Sequence, residues 1–270
     1  KRLTDAGIQH LARMPQLQHL DLGSTGITDA GVAALGELTQ LETLSLGSTA
    51  VTDASLSALA DFRRLQRLDL MWTRTGDGAI AALAGLPELG HFTSGMLVTD
   101  AGLTGLRDWP VFASWRGQHV DSALFAESAS GRLWLRGDIS DRGMTALAAL
   151  DGLVDLNIED RRMPIAAAGL RTLALLPHLE SLAFDATDAT MPAIAALPHL
   201  RRLSCQDTEA GDDGFVALSA SRTLEHIWGR DSFNLRDRGF AALATMPSLR
   251  TLSVSCRNVS DAAVALLPDF

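Results

Sequence analysis

Residues 4–8 read Thr4-Asp5-Ala6-Gly7-Ile8, and the phrase returns as Thr28-Asp29-Ala30-Gly31-Val32 and as Thr52-Asp53-Ala54-Ser55-Leu56. The Asp column then continues through Asp77, Asp100, Asp121 and Asp141, misses once at Ala167, and resumes at Asp188, Asp212, Asp237 and Asp261. A period of 20 to 26 residues marks a small supersecondary unit that cannot bury its apolar face alone and must stack on its neighbours. The chain therefore reads as a single solenoid over residues 1–270, with about 11–12 repeats.

Within one unit, two apolar periods alternate. After the Thr-Asp phrase, apolar residues fall three apart, as in Val32, Leu35, Leu38, Leu41 and in Ile80, Leu83, Leu86, Leu89. This is a one-faced helix or series of helical turns. Thr at its start caps free amide groups, and the adjacent Asp sits at the positive end of the helix dipole. Pro15, Pro87, Pro110, Pro177, Pro198 and Pro247 come just before the next strand and stop the helix there. The second segment alternates, as in Leu41-x-x-Leu44-x-Leu46 and Leu65-x-x-Leu68-x-Leu70, which predicts a short strand with one buried face. Repeated strand and helix in one sense give an α/β fold with a parallel sheet on one side and helices on the other. Helices are wider than strands, so the expected shape is a horseshoe with a concave sheet and convex helices.

The Leu-x-x-Leu-x-Leu segment, followed three residues later by Thr25, Thr49, Thr73 or Thr208, resembles a leucine-rich repeat, a family that usually has Asn or Cys where Thr stands here. The Thr-Asp-Ala-Gly-Leu phrase is similar to the ribonuclease-inhibitor-like and cysteine-containing subclass of F-box adaptors and bacterial repeat proteins. Ala30-Gly31-Val32-Ala33-Ala34-Leu35 also resembles GALA-type bacterial effectors, although Ala-rich helices produce such a phrase readily. The resemblance implies a binding scaffold and does not name a ligand.

Composition narrows the function classes. The chain of 270 residues is 47% hydrophobic, ample for a core, with no apolar run of the ~18 residues a membrane span needs. A net charge of −9, from 32 acidic and 23 basic residues, argues against a nucleic-acid partner or an anionic membrane. Cys205 and Cys256 are too few for a disulfide framework, so a reducing, cytoplasmic setting is the default; secretion into a host cell as an effector is the alternative. The chain opens on Lys1, its only lysine, within a repeat, which suggests a piece of a longer protein. Arginine in place of lysine reads as a GC-rich bacterial coding bias or, alternatively, as escape from ubiquitination. The apolar Leu266-Leu267-Pro268-Asp269-Phe270 suggests end-to-end self-association.

Repeat spacing becomes irregular over residues 100–167. Around Ala123-Leu124-Phe125-Ala126-Glu127 the apolar step fails, and a shortened, loop-like convex segment is expected there. Trp109 and Trp115 fall in core columns. Trp134 and Trp228 fall in the outward strand column shared with Asp21, Asp69 and Asn157, and Trp72 falls at a strand exit. Arg74, Arg136 and Arg230 each follow two residues after one of these tryptophans. Exposed Trp with Arg is the pairing enriched at binding hot spots. The alternative is that each Trp packs on its own neighbours. Arg67, His91, Arg132, Asp155, Arg202 and His226 add a polar field of mixed sign, which favours a protein or peptide partner. The expected binding set is Arg67, Asp69, Trp72, His91, Arg132, Trp134, Arg136, Asp155, Asn157, Arg202, His226, Trp228 and Arg230.

Catalytic chemistry is not legible. His178 and His199 share a Pro-His-Leu slot one repeat apart, without the carboxylate or thiolate that a metal site would add. Arg136-Gly137-Asp138 matches a cell-adhesion tripeptide at a length expected by chance. No phosphate loop or nucleophile elbow is present, and no cofactor is implied. The reading is a non-catalytic protein- or peptide-recognition scaffold; the alternative is the substrate-reading module of a larger effector or ubiquitin-ligase adaptor.

Overall fold

A Leu-x-Leu strand puts its leucines on one face and its intervening residues on the other, because successive side chains on an extended backbone point to opposite faces. The computed structural model describes residues 3–109, 124–126, 132–135, 138–158 and 163–265. The chain divides into two compact units, Lys1–Ile139 with Ala149–Leu153, and Ser140–Ala148 with Val154–Phe270.

In the first unit, β1 (His19–Asp21), β2 (Thr43–Ser45), β3 (Arg67–Asp69) and β4 (His91–Thr93) pair in parallel, with Leu20, Leu44, Leu68 and Phe92 in register. Leu44, Leu68 and Phe92 are buried, as are Leu41, Leu46, Leu65 and Leu70. The helical segments Asp5–Leu11, Asp29–Ala33, Asp53–Leu59, Asp77–Leu83 and Asp100–Gly105 follow at the Thr-Asp phrases or their equivalents. The segment Asp53–Leu59 is a 3-10 helix, whose three residues per turn match the apolar step of three.

The sheet departs from its parallel plan at β5. Leu124–Ala126 forms a strand that pairs antiparallel with β4, and β6 (Arg132–Leu135) pairs antiparallel with β5. The expected convex loop is therefore corrected at these residues, whose backbone extends the sheet. Trp109 is fully buried, as its column predicts; its indole N–H donates to the Ile80 carbonyl at 2.8 Å, and its ring lies 5.0 Å from that of Phe92. Trp115 and residues 266–270 lie outside the described residues.

The second unit carries β7 (Asp155–Asn157), β8 (Ser181–Ala183), β9 (Arg202–Ser204), β10 (His226–Gly229) and β11 (Thr251–Val254), all paired in parallel. Its main helices are Asp141–Leu147, Ala167–Thr172, Met191–Ala195, Asp212–Leu218 and Asp237–Leu243. Leu156, Leu182, Leu203 and Ile227 form its buried column, and Cys205 is a fully buried apolar residue.

Two local devices explain the residue types of the repeat. Thr25, Thr49 and Thr73 each donate a hydroxyl hydrogen bond to the carbonyl of Leu22, Leu46 and Leu70, at 2.6 Å in all three. Thr thus closes the turn on its own strand. Thr28, Thr52, Thr99 and Ser140 cap their helices, accepting from the amide two residues on at 3.2–3.3 Å.

The Asp column has a function beyond the dipole of its own helix. Asp5 accepts the Thr28 amide and hydroxyl, Asp29 those of Thr52, Asp77 those of Thr99, and Asp237 those of Ser260. Where the next cap is glycine or another residue without a hydroxyl, the carboxylate takes main-chain donors: Asp53 from Gly76 and Gly78, Asp188 from Gly211 and Gly214, and Asp212 from Arg236 and Gly239. Each carboxylate is a strut from one helix start to the next. No described helix is long and apolar enough to cross a membrane.

Candidate partner-binding surface

In the second unit the outward residues form two columns. One runs Asp155, Ser181, Arg202, His226, Thr251, and the other runs Asn157, Ala183, Ser204, Trp228, Ser253. Trp228 thus stands between two serines, whose short side chains leave room beside the indole. Its exposure is 37%, high for a ring on a sheet. His226, two residues earlier on the same face, stacks on it with ring centroids 5.6 Å apart and planes 11° from parallel. The His226 Nδ1 also lies 3.0 Å from the Thr251 hydroxyl. Stacking and hydrogen bonding hold the pair in one orientation, which lowers the entropy a partner must remove on binding.

Charged groups of both signs flank the pair. Glu225 lies 3.4 Å from Arg201, 3.7 Å from Arg250 and 4.0 Å from the His226 Nε2, and Glu180 lies 3.7 Å from Arg202. Such exposed pairs add little stability. Their effect here is positional, since they tie the arginine side chains to carboxylates of neighbouring repeats. Arg230 is exposed at the strand exit, and Asp155 and Asn157 are half-buried at the start of the two columns.

In the first unit the columns are His19, Thr43, Arg67, His91 and Asp21, Ser45, Asp69, Thr93. Arg67 is exposed, while Asp69 and His91 are half-buried. Asp69 folds back to accept the Met71 amide at 2.9 Å, as Asp21 accepts that of Gly23 at 2.8 Å, so these two carboxylates shape the turn after the strand. Thr93 is buried, which departs from an outward face open along its whole length. Trp134 is 37% exposed and is in register with Phe125, itself in register with Thr93. Arg132 is described in its backbone alone, and Arg136 lies outside the described residues.

Trp72 projects from a strand exit with 59% exposure and a positive φ of 60°. Sequence reasoning missed two neighbours in the next repeat, Met96 and Leu97, which are also exposed. The Met96 amide donates to the Thr73 carbonyl, so this apolar group lies directly beside the Trp72 turn. In the second unit it likewise missed Phe233, exposed at the exit of β10 with the Arg257 guanidinium 5.1 Å from its ring centre. The available signal was large apolar residues at turns where other repeats place Gly, Ser and Thr.

Cys256, His178 and His199 are exposed. No group of three metal-ligating side chains occurs among the described residues.

Residues 15–74 match the family model described as a leucine rich repeat. No curated protein matches the chain. Among solved structures, the chain is similar to an internalin from Listeria monocytogenes, at 14% identity over 98% of this chain and 92% of that one, with a TM-score of 0.49. It is also similar to a chain of the yeast complex of Rad7 and Elc1, at 18% identity over 98% of this chain and 76% of that one, with a TM-score of 0.39. A third similarity is to the complex of TLR13 with a single-stranded RNA, at 18% identity over 94% of this chain and 38% of that one, with a TM-score of 0.44. The family match identifies residues 15–74 as leucine-rich repeat, and the parallel strands and helices of the second unit repeat the same strand-then-helix order.

Proposed function

We propose that this chain is a recognition scaffold without catalytic chemistry, taking an extended protein or peptide partner on the outward faces of its strands. The observation that carries the reading is the Trp228 indole, left open between Ser204 and Ser253 and braced by His226. A large, preordered ring with arginines at its side matches the composition of binding hot spots, where one such residue contributes about 2 kcal/mol or more. Arg202 and Arg230 supply forks for carboxylates or carbonyls, and the first unit carries its own set in Arg67, Trp72, His91 and Trp134. Mixed charge and the net of −9 favour a polypeptide over a polyanion. The Thr-Asp-Ala-Gly phrase supports the ribonuclease-inhibitor-like subclass.

The test compares the parent chain with a Trp134→Ala, Trp228→Ala variant of unchanged circular dichroism. Partners captured from lysate by the parent are identified, purified and titrated against both proteins, with single-stranded RNA as a parallel ligand. The reading expects a polypeptide whose affinity falls at least about 30-fold in the variant, the equivalent of about 2 kcal/mol. A partner bound equally by both proteins, or saturable binding of RNA alone, would overturn it.

A further inference from the structure

The second unit carries a basic rim where its chain enters the sheet. Residues 177–181, 198–202, 222–226 and 247–251, which lead into β8, β9, β10 and β11, hold four arginines and three histidines against two glutamates, in a chain whose acidic residues outnumber its basic ones by 32 to 23. The arginines are Arg201, Arg202, Arg222 and Arg250, and the histidines are His178, His199 and His226. All are exposed except Arg202 and His226, which are half-buried.

These four turns form one continuous edge. The Arg201 amide donates to the Glu180 carbonyl at 2.8 Å, the Glu225 amide to the Arg201 carbonyl at 2.8 Å, and the Arg250 amide to the Glu225 carbonyl at 2.7 Å. The Ser248 hydroxyl donates to the Arg222 carbonyl at 2.8 Å, which ties the turns before β10 and β11 a second time. Neighbouring strands lie about 4.8 Å apart, so the charges are set along an edge about 14 Å long. Both glutamates are already engaged, Glu225 at 3.4 Å from Arg201 and 3.7 Å from Arg250, and Glu180 at 3.7 Å from Arg202. Two guanidiniums thus share the Glu225 carboxylate, and the edge keeps an excess of positive charge. His226 joins this edge to Trp228, on which it stacks.

Charge complementarity selects the occupant. A basic segment would meet the arginines as like charges, and an apolar one would strip water from them without compensation. A nucleic-acid backbone is charged at every nucleotide, so it would set phosphates against Glu180 and Glu225 and approach a chain of net charge −9. A polypeptide can instead place carboxylates opposite the arginines, whose forks match them, and neutral residues opposite the glutamates. We propose that this rim docks an acidic stretch of the partner polypeptide, beside the segment that covers Trp228. Contacts of this kind speed and orient the encounter more than they tighten the complex, which leaves affinity to the indole.

This inference rests on the polypeptide-recognition reading for the source of the acidic stretch, so its test uses isolated peptides. The full chain, labelled with ¹⁵N, is titrated at low salt with acetylated octaglutamate amide, with the octaglutamine equivalent and with octauridylate. The expected result is saturable movement of amide signals centred on the four turns with octaglutamate and none with octaglutamine. An Arg201→Gln, Arg222→Gln variant with a parent-like spectrum should bind octaglutamate about 5-fold more weakly, the scale of two exposed ion pairs. An Arg171→Gln, Arg236→Gln variant removes the same charge from exposed positions elsewhere in the unit and should bind it as the parent does. Trp228→Ala should also leave octaglutamate binding unchanged, so that the rim and the strand face fail separately. The proposal is overturned by absence of saturable shifts, by equal response to octaglutamine, or by equal weakening in the two arginine variants. It is also overturned by loss of octaglutamate binding in Trp228→Ala, or by tighter binding of octauridylate than of octaglutamate.

Discussion

Asp29 accepts the main-chain amide of Thr52 at 2.8 Å and its hydroxyl at 2.7 Å, across a full repeat of sequence. Two donors at the start of one helix are thus satisfied by a carboxylate from the helix before it. Asp29→Ala leaves both donors without that acceptor and is expected to cost about 1 kcal/mol or more in urea unfolding. A double-mutant cycle with Thr52→Val isolates the hydroxyl bond and should give a coupling of at least about 0.5 kcal/mol. Strict additivity would show that the hydroxyl bond contributes nothing, leaving the amide bond as the whole of the strut.

The same struts set an acid limit on stability. Burial would raise the Asp29 carboxyl, but the Thr52 amide, Thr52 hydroxyl and Ser55 hydroxyl outweigh it and hold the group below its ordinary value. The Ser260 hydroxyl and amide lower Asp237 in the same way. A carboxyl depressed in the folded state contributes stability in full above its unfolded pKa of about 3.9, and that contribution is lost as pH falls through the lower folded value. The melting temperature should therefore show no acid loss from these groups between about pH 7 and 5 and a decline below about pH 4. Asp29→Asn should flatten part of that decline. An unchanged acid limb in the variant would contradict the linkage.

Local spacing made the repeat legible, while contacts between repeats were hidden. The step of three in Val32, Leu35 and Leu38 and the alternation in Leu44 and Leu46 predict helical turn and strand directly, because each records which side faces the core. Trp109 was readable as core for the same reason. The partner of Asp29 was not, because a single phrase shows the helix it begins and not the next cap stacked above it. Nor was the reversal at Leu124–Ala126, where three residues carry no alternation long enough to set a direction. Trp72 is an intermediate case. Its positive φ follows from alignment with Ser24 and Ser48, which have the same conformation in the two preceding repeats, but the Trp side chain drew attention to surface chemistry and away from backbone.

The glycine of the Thr-Asp-Ala-Gly phrase is explained by the strut beneath it. A Cβ built on Gly214 would lie 2.6 Å from Asp188 Oδ1, the same oxygen that accepts the Gly214 amide. Gly214→Ala must displace that carboxylate and is expected to destabilise by about 1–3 kcal/mol. Gly85→Ala, whose Cβ would meet nothing within 4 Å, should be neutral or stabilise by up to about 1 kcal/mol. Similar melting temperatures for the two variants would remove the steric account.

Trp72 has a left-handed backbone conformation with φ 60° and yet exposes 59% of its surface. A bulky L residue in that region costs about 1–2 kcal/mol, which glycine does not incur. An exposed indole regains little of this through burial in the isolated protein, so Trp72→Gly should stabilise the fold by roughly 1 kcal/mol, offset in part by the greater unfolded-state freedom of glycine. If Trp72 belongs to the binding surface, the same change should weaken the partner by about 2 kcal/mol or more. Urea unfolding and titration of the captured partner on one protein sample measure both. A variant that is more stable and binds weakly would place the strain in the service of recognition. A variant that is less stable, with binding intact, would show that the indole packs on its own rim.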